Sequence, residues 1–307
     1  MDIKSYKDHD LEELYKLWRE VAKERPYAPE KDIEEFEETY LKTFTREDIK
    51  CLLAYDGSEL IGACILDLRP KDANPYLNFL VPKEILESEI SKELLKKSIK
   101  LCKGKGKSEV VLSPNIYPQE FIDFFKRQRF KKIEQYPSGL WMKKNLEDLS
   151  ELKTTKGIDI FAVEDLEGPI SARDLAEVQV NYANPNYDVK EIIDEFEKLD
   201  REQKEISYSI AKLEKTEEVV GYSRTVFIDL VRGDSIAKNV GLVVKKEQRR
   251  KGIGEALLVD SFHRAKKKGY DKMYISTHSE DLAQRLYRRV GFELEREQPN
   301  LCYEIDK

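Results

Sequence analysis

Apolar positions along this chain fall into two successive series with the same internal rhythm. Leu11, Leu14, Trp18, Val21 and Ala22 recur at three- and four-residue intervals and predict an amphipathic helix; Ile33, Phe36 and Tyr40 predict another after Pro29. The rhythm then changes to that of strands. Runs at 51–55 and 60–65 flank Asp56-Gly57, a pair suited to a two-residue turn with positive φ. A strand over 76–81, a helix over 90–101, a strand over 109–112 and a helix over 119–127 complete the first series.

The second series opens with a strand at 158–160 and helices over 171–180 and 189–199, followed by strands at 206–210 and 219–222. Near the ends of the two series, Phe124-Phe125-Lys126-Arg127-Gln128-Arg129-Phe130 parallels Leu286-Tyr287-Arg288-Arg289-Val290-Gly291-Phe292. Phe130 and Phe292 are 162 positions apart (292 − 130), as are Pro137 and Pro299 (299 − 137). A shared element order with a constant offset predicts a tandem repeat. At 307 residues the chain has room for two domains, expected at 1–147 and 157–307 with a polar linker at 148–156.

Composition narrows the setting. Apolar residues make up 40%, enough for two cores, while 37% charged residues imply a strongly ionic surface. The net charge of −6 argues against a general nucleic-acid binder, and Lys103-Gly104-Lys105-Gly106-Lys107 reads as a solvated loop. Cysteines at 51, 64, 102 and 302 lack metal-ligand spacing, so no metal site is expected. They suit a reduced compartment, with either plain burial or a cross-strand Cys51–Cys64 bridge. No signal-like start and no run of 18 apolar residues is present, so the expected location is the cytoplasm, away from membranes.

The strongest candidate for chemistry is Arg249-Arg250-Lys251-Gly252-Ile253-Gly254, between the apolar run Val240-Gly241-Leu242-Val243-Val244 and Ala256-Leu257-Leu258. This is a strand, a basic glycine turn and a helix start. Glycines allow close backbone approach, so successive N–H groups and the helix N-terminus can hold a diphosphate. P-loop spacing is absent, and the dinucleotide pattern would need glycine where Leu257 stands.

In these residues the second half resembles the GNAT acyl-CoA N-acyltransferase superfamily. The family's loop, Arg or Gln, two residues, Gly, one residue, Gly or Ala, is matched by Arg249, Gly252 and Gly254. Its helix end, Leu-Tyr, three residues, Gly-Phe, is matched by Leu286-Tyr287 and Gly291-Phe292, with 272–276 as the intervening strand. Glu280 departs from the family, which often has Asn there. The resemblance implies an α/β (α+β) fold of two tandem domains, each a mixed, mostly antiparallel twisted sheet flanked by helices. It implies acetyl-CoA as the acyl donor, with the pantetheine arm along Leu242, Val243 and Val244. Arg249, Arg250, Lys251, Gly252, Ile253, Gly254 and Glu255 would cradle the diphosphate, and an N–H near Val243 would polarise the thioester. A primary amine, on a small molecule or a peptide, would attack directly, with Tyr287 as the acid for the leaving thiolate. Asp229, His278, Glu280 or a water chain could serve as base.

Other readings stay open at this level. Tyr287 also fits an apolar helical stripe with Leu282, Ala283, Leu286 and Val290, and Gly291 fits a plain helix C-cap. The first half has acidic Val81-Pro82-Lys83-Glu84-Ile85-Leu86-Glu87-Ser88-Glu89 in place of the basic loop, Phe125 in place of Tyr287 and Arg129 in place of Gly291, and is expected to be a degenerate, non-catalytic copy. A non-catalytic acyl-CoA sensor or assembly module is the alternative function, and aminoacyl transfer from tRNA a third, disfavoured by the acidic balance. The loops 182–187 and 231–234 are expected to face the acceptor, and the chain to be a monomer or homodimer.

Overall fold

The computed structural model describes residues 2–25, 27–42, 48–68, 74–112, 117–133, 137–147, 149, 151–152, 155–164, 166, 170–183, 188–202 and 205–305. Strands run, in chain order, at Asp2–Ser5 (β1), Ile49–Asp56 (β2), Glu59–Asp67 (β3), Tyr76–Leu80 (β4), Glu109–Leu112 (β5), Lys131–Lys132 (β6), Gly139–Asn145 (β7), Ile158–Val163 (β8), Ile206–Leu213 (β9), Val219–Asp229 (β10), Ser235–Val244 (β11), Lys272–His278 (β12), Glu293–Gln298 (β13) and Leu301–Glu304 (β14). The α-helices are Leu11–Glu24 (α1), Ile33–Glu37 (α2), Glu89–Gly104 (α3), Gln119–Arg127 (α4), Ala172–Ala183 (α5), Val189–Glu202 (α6), Ile253–Lys267 (α7) and Gln284–Arg289 (α8).

These elements form two units, each around one seven-stranded sheet. The first has the order β1-β2-β3-β4-β5-β14-β6, the second β13-β7-β12-β11-β10-β9-β8. Among the described pairings each sheet has one parallel pair, β4 with β5 and β11 with β12, with the others antiparallel. That is the mixed, mostly antiparallel α/β architecture expected from the sequence. In the first unit α1 and α2 bury Leu14, Trp18, Val21 and Phe36 against Leu53, Ala63 and Ile65, while α3 and α4 bury Leu94, Phe121 and Phe124 against the other face, with Leu52, Cys64 and Phe79. In the second, α5 and α6 pack Leu175, Ile192 and Phe196 on Tyr208, Ile210 and Tyr222, and α7 and α8 pack Leu258, Phe262 and Tyr287 on Met273 and Ile275.

The units do not divide at 148–156. The first comprises Met1–Ser138, Leu230–Asp234 and Gln298–Lys307, the second Gly139–Asp229 and Ser235–Glu297. Each half gives its last strand to the other half's sheet: β14 lies between β5 and β6, and β7 between β12 and β13. Met142 and Leu301 hold the strands there, Met142 in the core with Phe262 and Phe292, Leu301 in the core with Phe121 and Phe130. Alternation of apolar and polar residues specifies a strand but not the sheet it joins, so the sequence division missed the exchange. Part of the expected linker (148, 150, 153 and 154) lies outside the described residues.

Duplication shows in the backbone. Both hairpins skip one residue just before a glycine, Ile61 before Gly62 in β3 and Val220 before Gly221 in β10. Both α4 and α8 end in the same left-handed cap. Arg129 (φ 71) and Gly291 (φ 92) take the left-handed conformation. Phe130 N–H donates to Phe125 O at 3.0 Å, and Phe292 N–H to Tyr287 O at 2.9 Å.

Several local expectations need adjustment. The first hairpin turns at Gly57-Ser58, because Asp56 is still paired to Glu59. Leu282 precedes α8 and is 76% exposed, so it does not belong to the buried stripe. The four thiols are buried and free; Cys51 is opposite Ile65 and Cys64 opposite Leu52, which puts the two sulfurs on opposite faces of the sheet. The 231–234 loop belongs to the first unit, where Val231 is buried beside Leu14 and Trp18 and its N–H donates to Ala28 O at 3.0 Å. Residues 184–187 of the other expected acceptor loop lie outside the described residues.

Candidate functional site

In the second unit β11 and β12 begin as parallel neighbours and then separate. Their pairing covers Ala237 with Met273, Lys238 with Tyr274 and Asn239 with Ile275, and stops there. Beyond that point Ser276, Thr277 and His278 stay paired to β7, and Gly241 to Val244 stay paired to β10. Val240 is the cause on the β11 side: it is skipped in the register with β10, between Thr225 opposite Asn239 and Arg224 opposite Gly241. Such a bulge bends its strand.

Among the described residues, the bend leaves one edge of β11 without a neighbouring strand. Lys245 N–H donates to Val220 O at 2.9 Å, which makes this a hydrogen-bonded pair. Such pairs alternate along an antiparallel ladder. Tyr222 and Val243 therefore bond each other, whereas the amides of Leu242 and Val244 point away from β10 toward the gap. An N–H at Val243 is thus committed to the sheet; the free edge belongs to Leu242 and Val244. Val244 O already accepts from Arg249 Nε at 3.1 Å.

The edge leads straight into the basic turn. Lys246–Gln248 form a short 3-10 turn, Arg250 (φ 65) and Gly252 (φ 86) take left-handed conformations, and α7 begins at Ile253. Gly252 is the N-cap and has no side chain to satisfy the first-turn N–H groups. Arg249, Arg250 and Lys251 are exposed, with Lys251 Nζ donating to Gln248 Oε1 at 2.7 Å. Gly254 is closely packed: an added Cβ would lie 3.3 Å from Leu286 Cδ2, which would have to shift slightly, and 3.8 Å from Val244 Cγ2. Ile253 is buried in the core, and Glu255 lies 3.9 Å from Arg289. Open helix N–H groups, positive charge and a free strand edge fit an anionic, extended ligand.

Tyr287 is buried on the α7–α8 side, its ring edge-on to Phe292 at 6.1 Å. Leu242 and Leu286 pack against the same hydrophobic cluster that contains the tyrosine. The base candidates are dispersed. His278 ends β12 opposite Gly139 and is exposed, as is Glu280. Asp229 accepts from Ser235 Oγ at 2.5 Å at the far end of the β10–β11 hairpin from the basic turn, away from the gap.

The corresponding edge of the first unit is filled by its own side chains. Counting two residues on from the matched glycines, Cys64 opposite Phe79 corresponds to Ser223 opposite Leu242. Phe79 N–H donates to the Tyr117 hydroxyl at 3.1 Å, and Arg25 Nη2 donates to Phe79 O at 3.1 Å. Tyr117 is fully buried, burial pushes its phenol up, and its ring packs on Phe121 and Phe125. No basic turn follows β4. The sequence signalled the lost loop; the plug formed by Tyr117 and Arg25, 92 residues apart in the chain (117 − 25), was invisible to it.

Residues 173–292 match the profile of the acetyltransferase (GNAT) family. That match lies largely in the second unit, and the fold of the whole chain fits a tandem two-domain GNAT architecture. Its fold is similar along its whole length to a tandem GNAT protein from the clavulanic acid biosynthesis pathway (TM-score 0.75, 13% identity, covering 100% of this chain and 99% of that one). It is also similar to a GCN5-related N-acetyltransferase from Sphaerobacter thermophilus (TM-score 0.64, 14% identity, 100% and 96% covered) and to a GNAT-family acetyltransferase from Colwellia psychrerythraea (TM-score 0.62, 17% identity, 100% of both). No curated protein matches the sequence. Among the described residues no helix is long and apolar enough to cross a membrane. The family match supports acyl transfer as the class of activity.

Proposed function

We propose that the second unit transfers an acetyl group from acetyl-CoA to a primary amine, and that the first unit has lost its cofactor edge. The observation that carries this reading is the unpaired edge of β11 at Leu242 and Val244, running directly into the Arg249–Gly254 turn. Acetyl-CoA would supply a thioester, already activated toward amines. Leu242 N–H is the candidate donor to the thioester oxygen, where negative charge develops during attack. Arg249, Arg250, Lys251 and the α7 N-terminus would hold the diphosphate, and Gly252 and Gly254 let the backbone come close. Tyr287 is the candidate proton donor to the departing sulfur; a phenol of pKa about 10 is a workable match to a thiol of about 8.5. The amine needs alignment more than activation, since it is a nucleophile once neutral.

The test is release of free thiol from acetyl-CoA in the presence of a panel of amines, alongside melting with and without the cofactor. Thiol release with at least one amine and a raised melting temperature are expected. No release with any amine and no shift in melting would overturn the reading.

A further inference from the structure

On the α5–α6 face of the second sheet, opposite the face that carries α7 and Tyr287, two cations stand beside the point where β11 and β12 part. Arg224 projects there with its strand neighbours Tyr222 and Val226, which pack in the α5–α6 core. Lys238 projects there too, being the register partner of Val226. Arg224 is itself opposite Gly241, the first residue after the Val240 bulge, so the two cations are diagonal neighbours on adjacent strands, a separation of roughly 7–8 Å between backbones.

Neither cation has an acid among the described residues. Among the described residues Arg224 has no hydrogen-bond or ion-pair partner, and its Nε is buried without one. Its guanidinium lies 5.3 Å from the Phe196 ring, and Lys238 Nζ lies 4.4 Å from the Trp141 ring. Aromatic contacts hold cations but leave their donor hydrogens unused. In a chain with 60 acidic against 54 basic residues, this lack of acids is local. Other cations of the same unit are paired: Lys143 with Glu295 on this face, Lys245 with Glu218, and Arg264 with Asp260. Gly241 adds no side chain over the Arg224 stem.

We infer that Arg224 and Lys238 form an anion subsite for the acceptor, so that the amine acylated by this protein carries a carboxylate. The inference rests on the acyl-transfer reading for the position of the donor, but the anion contact stands on these residues alone. Arg224 offers the planar fork that suits a carboxylate, and Lys238 a second, point-like charge. An acceptor reaching the gap from the α5–α6 face would bring its amine to the Leu242 edge while its acidic group stays against Arg224.

The experiment compares matched amines with the intact chain and acetyl-CoA: alanine against alaninamide, β-alanine against β-alaninamide, and O-phosphoethanolamine against ethanolamine. Thiol release and calorimetric binding to the CoA-saturated protein are both read. The carboxylate-bearing partner is expected to have at least a tenfold higher kcat/KM. Arg224→Gln should reduce that advantage to within threefold, mainly through KM, with CoA affinity unchanged as the check on folding; Arg224→Lys should restore part of it. If no amine releases thiol but the carboxylates bind and lose binding in Arg224→Gln, the transfer reading fails and the subsite stands. Equal use of neutral and acidic partners, a preference that survives Arg224→Gln combined with Lys238→Gln, binding of none of the acids, or a preference confined to the phosphate would overturn it.

Discussion

Lys238 shows how a single side chain can be held at odds with its surroundings. Burial alone pushes its ammonium down to about 8, with no carboxylate to offset the cost. Between pH 8 and the unperturbed value of about 10.5 the unfolded chain binds a proton that the folded chain does not, so stability rises with pH across that window. Below pH 8 the penalty is fully present. Lys238→Met is expected to stabilise the protein at pH 7 and to flatten the rise between pH 8 and 10.5. Because part of the side chain reaches water, the gain is on the order of 1–2 kcal/mol, measurable by urea unfolding at several pH values. Tyr287 is the opposite case, a residue that fits its core and is proposed to act as the acid. Tyr287→Phe keeps the ring contact with Phe292 and should lower kcat about tenfold to a hundredfold with CoA affinity within threefold of wild type. A pure sensor would lose nothing but one hydroxyl, so an unchanged kcat removes Tyr287 as the acid.

Among the elements, the two helix ends make the clearest internal comparison. Arg129 and Gly291 hold the same left-handed cap with the same hydrogen bonds, yet only glycine adopts that φ without steric cost. Arg129→Gly should stabilise the first unit by about 0.5–1 kcal/mol, seen as a higher denaturation midpoint; an unchanged or lower midpoint would contradict the strain. Much at this scale was legible beforehand. The stripe Leu14, Trp18, Val21 and Ala22 is buried in α1 as its spacing requires, and both central hairpins form where the apolar runs stand. Strands β1, β6, β7, β13 and β14 carried too few apolar residues, or too short a run, to be distinguished from loops. In β13 only Gln298 is buried, so there is little alternation to read.

At the level of the whole molecule, the exchange of final strands means that neither half contains its complete sheet. Ending the chain at residue 297 removes β14 from between β5 and β6, leaving β5 with an open edge and the core around Phe121 and Phe130 without Leu301. Amide hydrogen exchange over 109–112 should then become much faster, while the amides of β9 and β10 in the second unit keep their protection. Unchanged protection at Val110 and Val111 would show that β14 is not required there.

The order of the helices and central strands, the constant offset between the halves and the Arg249–Gly254 turn were determined by the sequence alone, because each rests on short local patterns in the chain. Helical periodicity, a glycine-bounded turn and a repeated motif need no knowledge of what lies across the sheet. Three things were decided only in three dimensions: the Leu242 and Val244 amides at the gap, the filling of the first unit's edge by Tyr117 and Arg25, and the unpaired cations Arg224 and Lys238 on one face. Each depends on strand register, where a one-residue bulge such as Val240 reverses which groups face which neighbour, and on pairings between segments distant in the chain.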